Sequence, residues 1–284
     1  MTKKRMLLLA LGTALVLHGV LTRAQDGSTG EKAKTEVSPL ASGPGIASRA
    51  LPFGVGEKLS YQVRYGRVNA GSAEMRIEGL AEVRGHLCFR AVTTIESNSF
   101  FSRFYTVRDY LESLIDSEGV FPWAFEKRLH EGKYRAHVQA QYDHASGIAV
   151  VNGDTVRIPA GVQDVLSIFY YVRTQPMEVG KAIEVANHDN KKVAILELRV
   201  LRRERVRTEA GEFDAFVIEP RVKETGQQAG LFRQKGEAWI WFSADSRRLP
   251  VLIKSKMYFG SLTLELAEVE YLTSHAMAQQ ARGE

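Results

Sequence analysis

Alternation of apolar and polar positions runs through most of this chain, and it is the alternation of half-buried strands. LSYQVRY sets Leu59, Tyr61, Val63 and Tyr65 against Ser60, Gln62 and Arg64. YRAHVQAQY sets Tyr134, Ala136, Val138, Ala140 and Tyr142 against Arg135, His137, Gln139 and Gln141. Runs of the same kind fall near 71–80, 86–97, 104–116, 121–130, 193–207, 213–223, 237–243, 249–258 and 261–272. Turn residues separate them, among them Arg84-Gly85, Glu131-Gly132, Asn152-Gly153 and Ala210-Gly211. Short turns between consecutive alternating runs predict an antiparallel meander with one buried face. About 12 strands are more than a flat open sheet carries without curling.

One stretch breaks the pattern. GVQDVLSIFYYVRTQP places Val162, Val165, Leu166, Phe169 and Val172 at helical spacing. Asp164 can cap such a helix by accepting from the N–H of Leu166 or Ser167. Pro176 stops it, because the residue before a proline leaves the helical region. The expected fold is therefore mainly β. A strongly curled antiparallel sheet, a half-barrel or incomplete barrel, packs around one short helix near 164–174.

The ends of the chain read differently. Lys3, Lys4 and Arg5 precede an apolar run, Met6 to Leu21, and Ala24 offers a small residue for cleavage. That is the pattern of a secretory signal peptide over 1–24. Residues 25–50 are rich in Gly, Ser, Ala, Lys and Pro and read as a disordered linker. The single β domain is expected over 51–273, with a frayed tail at 274–284. The expected location is periplasmic, with no integral membrane span in the mature chain.

Charge follows from this division. The whole chain has 38 Lys+Arg and 33 Asp+Glu, a net charge of +5. Residues 1–24 hold Lys3, Lys4, Arg5 and Arg23 and no acid, which leaves 34 basic against 33 acidic residues. A nearly neutral mature chain gives no reason to expect nucleic acid as a partner. Cys88, the only cysteine, sits between Leu87 and Phe89 in a strand pattern and reads as a small buried hydrophobe. No internal disulfide can form.

Five stretches together resemble a bacterial family known as domain of unknown function 3108: PFGVGEKLSYQVRYGRVNAGSAEM, FYTVRDYLESLID, VQDVLSIFYYVRTQP, VRTEAGEFDAFVIEP and WIWFSADSRRLPVLIKSKMYFGSLTLEL. The resemblance spans about residues 52–272 in order and spacing, and it carries no activity with it. WIWFSADSRRLPVLI is also similar to the closing hairpin of periplasmic lipoprotein carriers of the Lol type. That similarity implies a curved antiparallel half-barrel around an apolar cavity, although this chain has fewer helical segments than a carrier's lid requires.

Candidate chemistry is sparse. The sequence contains no Gly-x-Ser-x-Gly, His-Glu-x-x-His, Walker loop or Gly-x-Gly-x-x-Gly. His130, His137 and His144 are seven apart, an odd spacing that points them to opposite sides of strands, so no metal site and no cofactor is expected. Asp109 and Glu112 could serve a carbohydrate-active hydrolase only if two carboxyls met across strands. The remaining candidates form a ligand-binding set. Asp164, Ser167 and Arg173 would orient a head group, with Phe169, Tyr170, Trp239 and Trp241 as walls.

The leading expectation is an exported, non-catalytic binding protein for an apolar or amphiphilic cell-envelope component, lipid or lipoprotein related. An envelope protein–protein interaction or structural module is the first alternative, and the hydrolase is the second. A carrier requires a cavity on the concave face that side chains leave unfilled.

Overall fold

A computed structural model describes residues 51–223, 238–257 and 260–271, together with the backbone of a two-residue strand at 38–39. The predicted signal peptide and C-terminal tail lie outside the described residues. So does the predicted linker, apart from that strand.

The strands are β1 (Ser38–Pro39), β2 (Glu57–Tyr65), β3 (Val68–Val83), β4 (His86–Ser97), β5 (Arg108–Asp116), β6 (Pro122–Glu131), β7 (Tyr134–Asp143), β8 (Ile148–Val151) and β9 (Asp154–Arg157). They continue with β10 (Ala182–Asp189), β11 (Lys192–Thr208), β12 (Gly211–Val222), β13 (Ala238–Ser243), β14 (Pro250–Met257) and β15 (Gly260–Tyr271). Two helices interrupt them, α1 (Ser99–Ser102) and α2 (Ser167–Arg173).

Fourteen strands form one antiparallel sheet in the order β10 to β15, then β2 to β9, and β1 pairs with β3. Within this order every paired neighbour is also consecutive in sequence except at one seam, where β15 pairs with β2. The sheet does not close, since β9 and β10 stay unpaired at its two edges. The segment between them carries α2, and Gln163 bridges to Asn187 of β10. Several hairpins are tight two-residue turns. In Arg84-Gly85 and Asn152-Gly153 both residues have positive φ (53° and 82°, 48° and 91°), the twist that suits a right-handed strand pair.

Alternation sorts the faces as expected. Leu59, Tyr61 and Val63 of β2 are buried, whereas Ser60, Gln62 and Arg64 are half-buried. The inward rows of β2–β15 meet around α2, whose Ile168, Phe169, Tyr170 and Val172 belong to the same apolar cluster. Full burial of each such side chain contributes roughly 1.5–3 kcal/mol. The buried side chains of the described concave face thus pack around α2 in one cluster.

A smaller cluster of Ala81, Val83, Cys88 and Leu114 sits beside Trp123, separate from the main core. Burial pushes the Cys88 thiol up to about 12, so it stays protonated and behaves as a hydrophobe.

The sequence reading missed four elements, one of them β1 within the predicted linker. α1 is a single turn capped by Asn98, too short for periodicity to register, and it lies between the strands expected over 86–97 and 104–116. β8 and β9 are four residues each. The predicted helix at 164–174 is observed as Ser167–Arg173, preceded by a capped turn at Asp164.

Candidate functional site

The α2 segment is tied down by polar groups at both ends. At its start, Asp164 Oδ1 accepts the backbone N–H groups of Leu166 and Ser167, both at 2.7 Å, as the capping pattern predicts. The N–H of Asp164 donates in return to Ser167 Oγ at 2.9 Å. Across the interior, Ser113 Oγ of β5 donates to Asp164 Oδ2 at 2.6 Å. Asp164 and Ser167 are fully buried, and burial pushes the Asp164 carboxyl up to about 6 although these bonds oppose it.

At the other end, Arg173 forms a fork-to-fork pair with Glu57 of β2. Nη1 reaches Oε1 at 2.6 Å and Nη2 reaches Oε2 at 2.7 Å. Nη2 also donates to the Pro52 carbonyl at 2.8 Å, and Nε donates to the Arg247 carbonyl at 3.1 Å. Burial alone would push Arg173 down, but the bonds and charge of Glu57 more than offset it. The guanidinium is spent on holding the fold.

These contacts decide how the predicted ligand-binding set is arranged. Asp164 and Arg173 lie at opposite ends of the segment that carries α2, and each is taken up by its own contacts, Asp164 with Ser113 and Arg173 with Glu57. Phe169 is buried in the core, and Tyr170 packs edge-on against Phe53 at 5.0 Å. Trp239 and Trp241 do share a face, but it is the outer one. Lys256 and Lys254 lie over their rings, and Trp241 Nε1 donates to Glu204 at 2.7 Å. It is Ile240, between them, that joins the inward row with Ile218 and Ile253. The outer face near Trp241 is itself covered. After a bulge at Val200/Arg202, the β11–β12 hairpin bends back, and its tip meets β15 and β2 through Ala210 to Leu266 and Gln62 to Glu209.

The paired-carboxylate expectation dissolves in the same way. Asp109 points inward and is buried, whereas Glu112 is on the outer face with Arg90 and Tyr110. The interior acid that does approach Asp109 is Glu131. Burial pushes Asp109 up to about 6, and burial with the Asp109 charge pushes Glu131 up to about 7. Nearby, Lys127 donates to Asp189 at 2.7 Å, and Tyr142 Oη lies 3.1 Å from His188 Nδ1. Burial holds His188 down at about 4. This polar layer was illegible in sequence because its members come from β5, β6, β7 and β10. It is enclosed by protein.

His130, His137 and His144 go to separate partners, namely Arg135, Glu126 and the Pro122 carbonyl. Among the described residues no group of three or more His, Cys, Asp or Glu is placed to hold a metal ion.

A cleft of about 870 Å³ among the described residues opens to solvent at the Arg173 end of the sheet. Leu51–Gly54, Arg173–Pro176, Ser246–Arg248 and Tyr271 line it. Its apolar surface comes from Leu51, Pro52, Phe53 and Tyr271, the last of these 55% exposed. Arg247 is held by Asp245 at 2.6 Å. Arg248 has a positive φ of 49°, stacks over Phe216, and keeps Nη1 buried with no hydrogen-bond partner among the described residues.

The model of the family "Protein of unknown function (DUF3108)" matches residues 60–267. The chain belongs to that family. No curated protein matches it.

Three solved structures are similar in outline. One is a β-barrel-like protein of domain of unknown function DUF1849 from Brucella abortus. It is 11% identical with a TM-score of 0.49, over 77% of this chain and 98% of that one. Another, provisionally described as exported and with a YmcC-like fold, comes from Bacteroides fragilis. It is 12% identical with a TM-score of 0.36, over 77% and 97% of the two chains. A third, provisionally described as a lipoprotein, comes from Parabacteroides distasonis, at 11% identity, TM-score 0.33 and the same coverage. At these values the likeness carries nothing about ligand or activity. No helix among the described residues is long and apolar enough to cross a membrane.

Proposed function

We propose that this chain is an exported, non-catalytic binding protein of the cell envelope that takes an amphiphilic ligand in the open cleft beside Arg173. Export rests on the signal-peptide pattern of residues 1–24. The observation that carries the ligand reading is Arg248, a cleft-lining cation whose Nη1 is buried without a hydrogen-bond partner among the described residues, beside the apolar Leu51, Pro52, Phe53 and Tyr271. A buried donor left unmade costs about 1–3 kcal/mol, more when charged, and an anionic head group would recover that cost. The ligand's apolar part would lie along Leu51, Pro52 and Tyr271.

This reading moves the binding site from the concave face, where α2 and the core occupy the space, to the outside of the barrel end. The cleft's cations are guanidinium groups, which do not release protons at physiological pH, so it suits holding charge rather than proton transfer. Calorimetric titration with a single-chain anionic amphiphile below its micelle concentration tests the proposal, with a zwitterionic analogue as control. Saturable binding that prefers the anion and weakens about tenfold or more in Arg248→Gln is expected. Absence of saturable heat, or binding indifferent to both Arg248→Gln and Tyr271→Ala, overturns it.

A further inference from the structure

The end of the sheet opposite the cleft carries a second feature. Three connections meet there: the β2–β3 turn at 66–67, the β4–β5 connection that contains α1, and the β6–β7 turn at 132–133. They are joined into one surface. Asn98 Nδ2 donates to the Asn69 carbonyl at 2.8 Å, and the N–H of Gly132 donates to the Thr106 carbonyl at 2.7 Å. Arg108 and Arg135 are both close enough to His130 to push its pKa down, with desolvation the leading cause.

On this surface large apolar side chains stand in water. Phe104 is 73% exposed, Phe100 56%, and Val68 and Tyr134 50% each. α1 buries none of its residues. Phe100 and Phe104 hold each other edge-on at 5.7 Å, while Phe101 beside them turns to Tyr65. An ordinary loop would present polar residues here, and two adjacent unburied phenylalanines are costly to keep in water.

The charges around them are mostly of one sign. Arg67, Arg103, Arg108, Lys133 and Arg135 are exposed, and none makes an ion pair with a carboxylate among the described residues. Elsewhere several exposed arginines are matched, as in Arg199–Glu197, Arg202–Glu204, Arg203–Asp214 and Arg221–Glu219, while Arg84, Arg157, Arg205 and Arg207 stand singly rather than gathered around exposed aromatic rings. In the three connecting segments the exposed acid is Glu96, cross-strand from Arg108, since Glu131 is buried. This concentration is notable in a mature chain that is close to neutral overall.

We infer that this end of the barrel docks on an anionic lipid surface, with Phe100 and Phe104 entering the headgroup–acyl boundary and the arginine collar facing lipid phosphates. Projecting aromatics within a cationic rim match that boundary, where apolar rings and opposite charge are both rewarded. A protein partner would call for a groove or a flat apolar face, and the rings here project from a turn. The inference is independent of the cleft, which lies at the far end of the strands.

Flotation of the full mature chain with zwitterionic vesicles, with and without added anionic phospholipid, tests it. Binding is expected only with anionic lipid and should fall with salt. Arg103→Gln and Arg108→Gln should each weaken partition about fivefold, and Phe100→Ser with Phe104→Ser by about 10- to 100-fold. All these positions are exposed, so unfolding midpoints should stay near wild type. Two results overturn the inference: no binding to anionic vesicles, or binding that ignores the phenylalanines. Capture of an acidic envelope protein through Phe100 and Phe104, without vesicle binding, also overturns it.

Discussion

Replacing Arg173 with methionine should be among the most damaging single changes in this protein, through loss of charge balance rather than loss of volume. Arg173 and Glu57 side chains are each 1% exposed. Removing the guanidinium deletes four hydrogen bonds, two to Glu57 and one each to the carbonyls of Pro52 and Arg247. It also leaves a carboxylate in an apolar interior. Breaking a buried pair from one side costs about 3–5 kcal/mol, whereas replacing both partners with apolar residues is often close to neutral.

The double variant Glu57→Leu, Arg173→Met should therefore recover much of the loss. The residual cost, about 1–2 kcal/mol, comes from the orphaned carbonyls of Pro52 and Arg247. Urea unfolding of wild type, both singles and the double closes the cycle, provided the m-values agree. A single variant that loses less than about 1 kcal/mol, or a double as unstable as the single, would refute the account of Arg173 as a paired structural charge.

Stability should rise as pH falls from 7 to 5. The folded carboxyls of Glu131, Asp109 and Asp164 sit at about 7, 6 and 6, above unfolded values near 4, so their contribution is full below about 4 and is lost as pH rises through 6–7. His188, held at about 4, works the other way and loses its contribution as pH falls below about 6.5. Between pH 7 and 5 the carboxyls add roughly 5 kcal/mol and His188 removes roughly 2, a net gain of about 3 kcal/mol. A lower melting temperature at pH 5 than at pH 7 would contradict this. Gly71→Ala should destabilise by about 2 kcal/mol or more, since a Cβ there would lie 2.0 Å from the Glu96 carbonyl oxygen, a backbone atom; a denaturant midpoint at the wild-type value counts against it. Trp241→Phe should cost about 1 kcal/mol through the lost bond to Glu204 and leave amphiphile titrations unchanged, because its ring lies on the outer face.

How far the chain could be read from sequence varies with the range of the interaction that decides each feature. α2 was legible because helical spacing stands out in alternating surroundings, and because Asp164 caps residues two and three positions away. The strands were legible where they were long, and lost at β8 and β9, where four residues barely alternate. Arg173 was legible as a charge near a helix end, but its partner is 116 residues away, and alternation cannot pair positions on different strands. Trp239 and Trp241 could be assigned to one face but not to which face. Both faces of β13 carry apolar residues once the β11–β12 hairpin folds back over the outside.

The long-range contacts also decide what kind of helix α2 is. A lid over a lipid cavity has to move at small cost, and moving elements come from the weakly held parts of a fold. α2 is anchored at one end by Ser113 to Asp164 and at the other by Glu57 to Arg173, with Phe169 and Tyr170 buried between. Displacing it would expose a charge pair, a cap and two aromatic rings together. α2 therefore acts as a fixed plug around which the sheet curls rather than as a mobile lid.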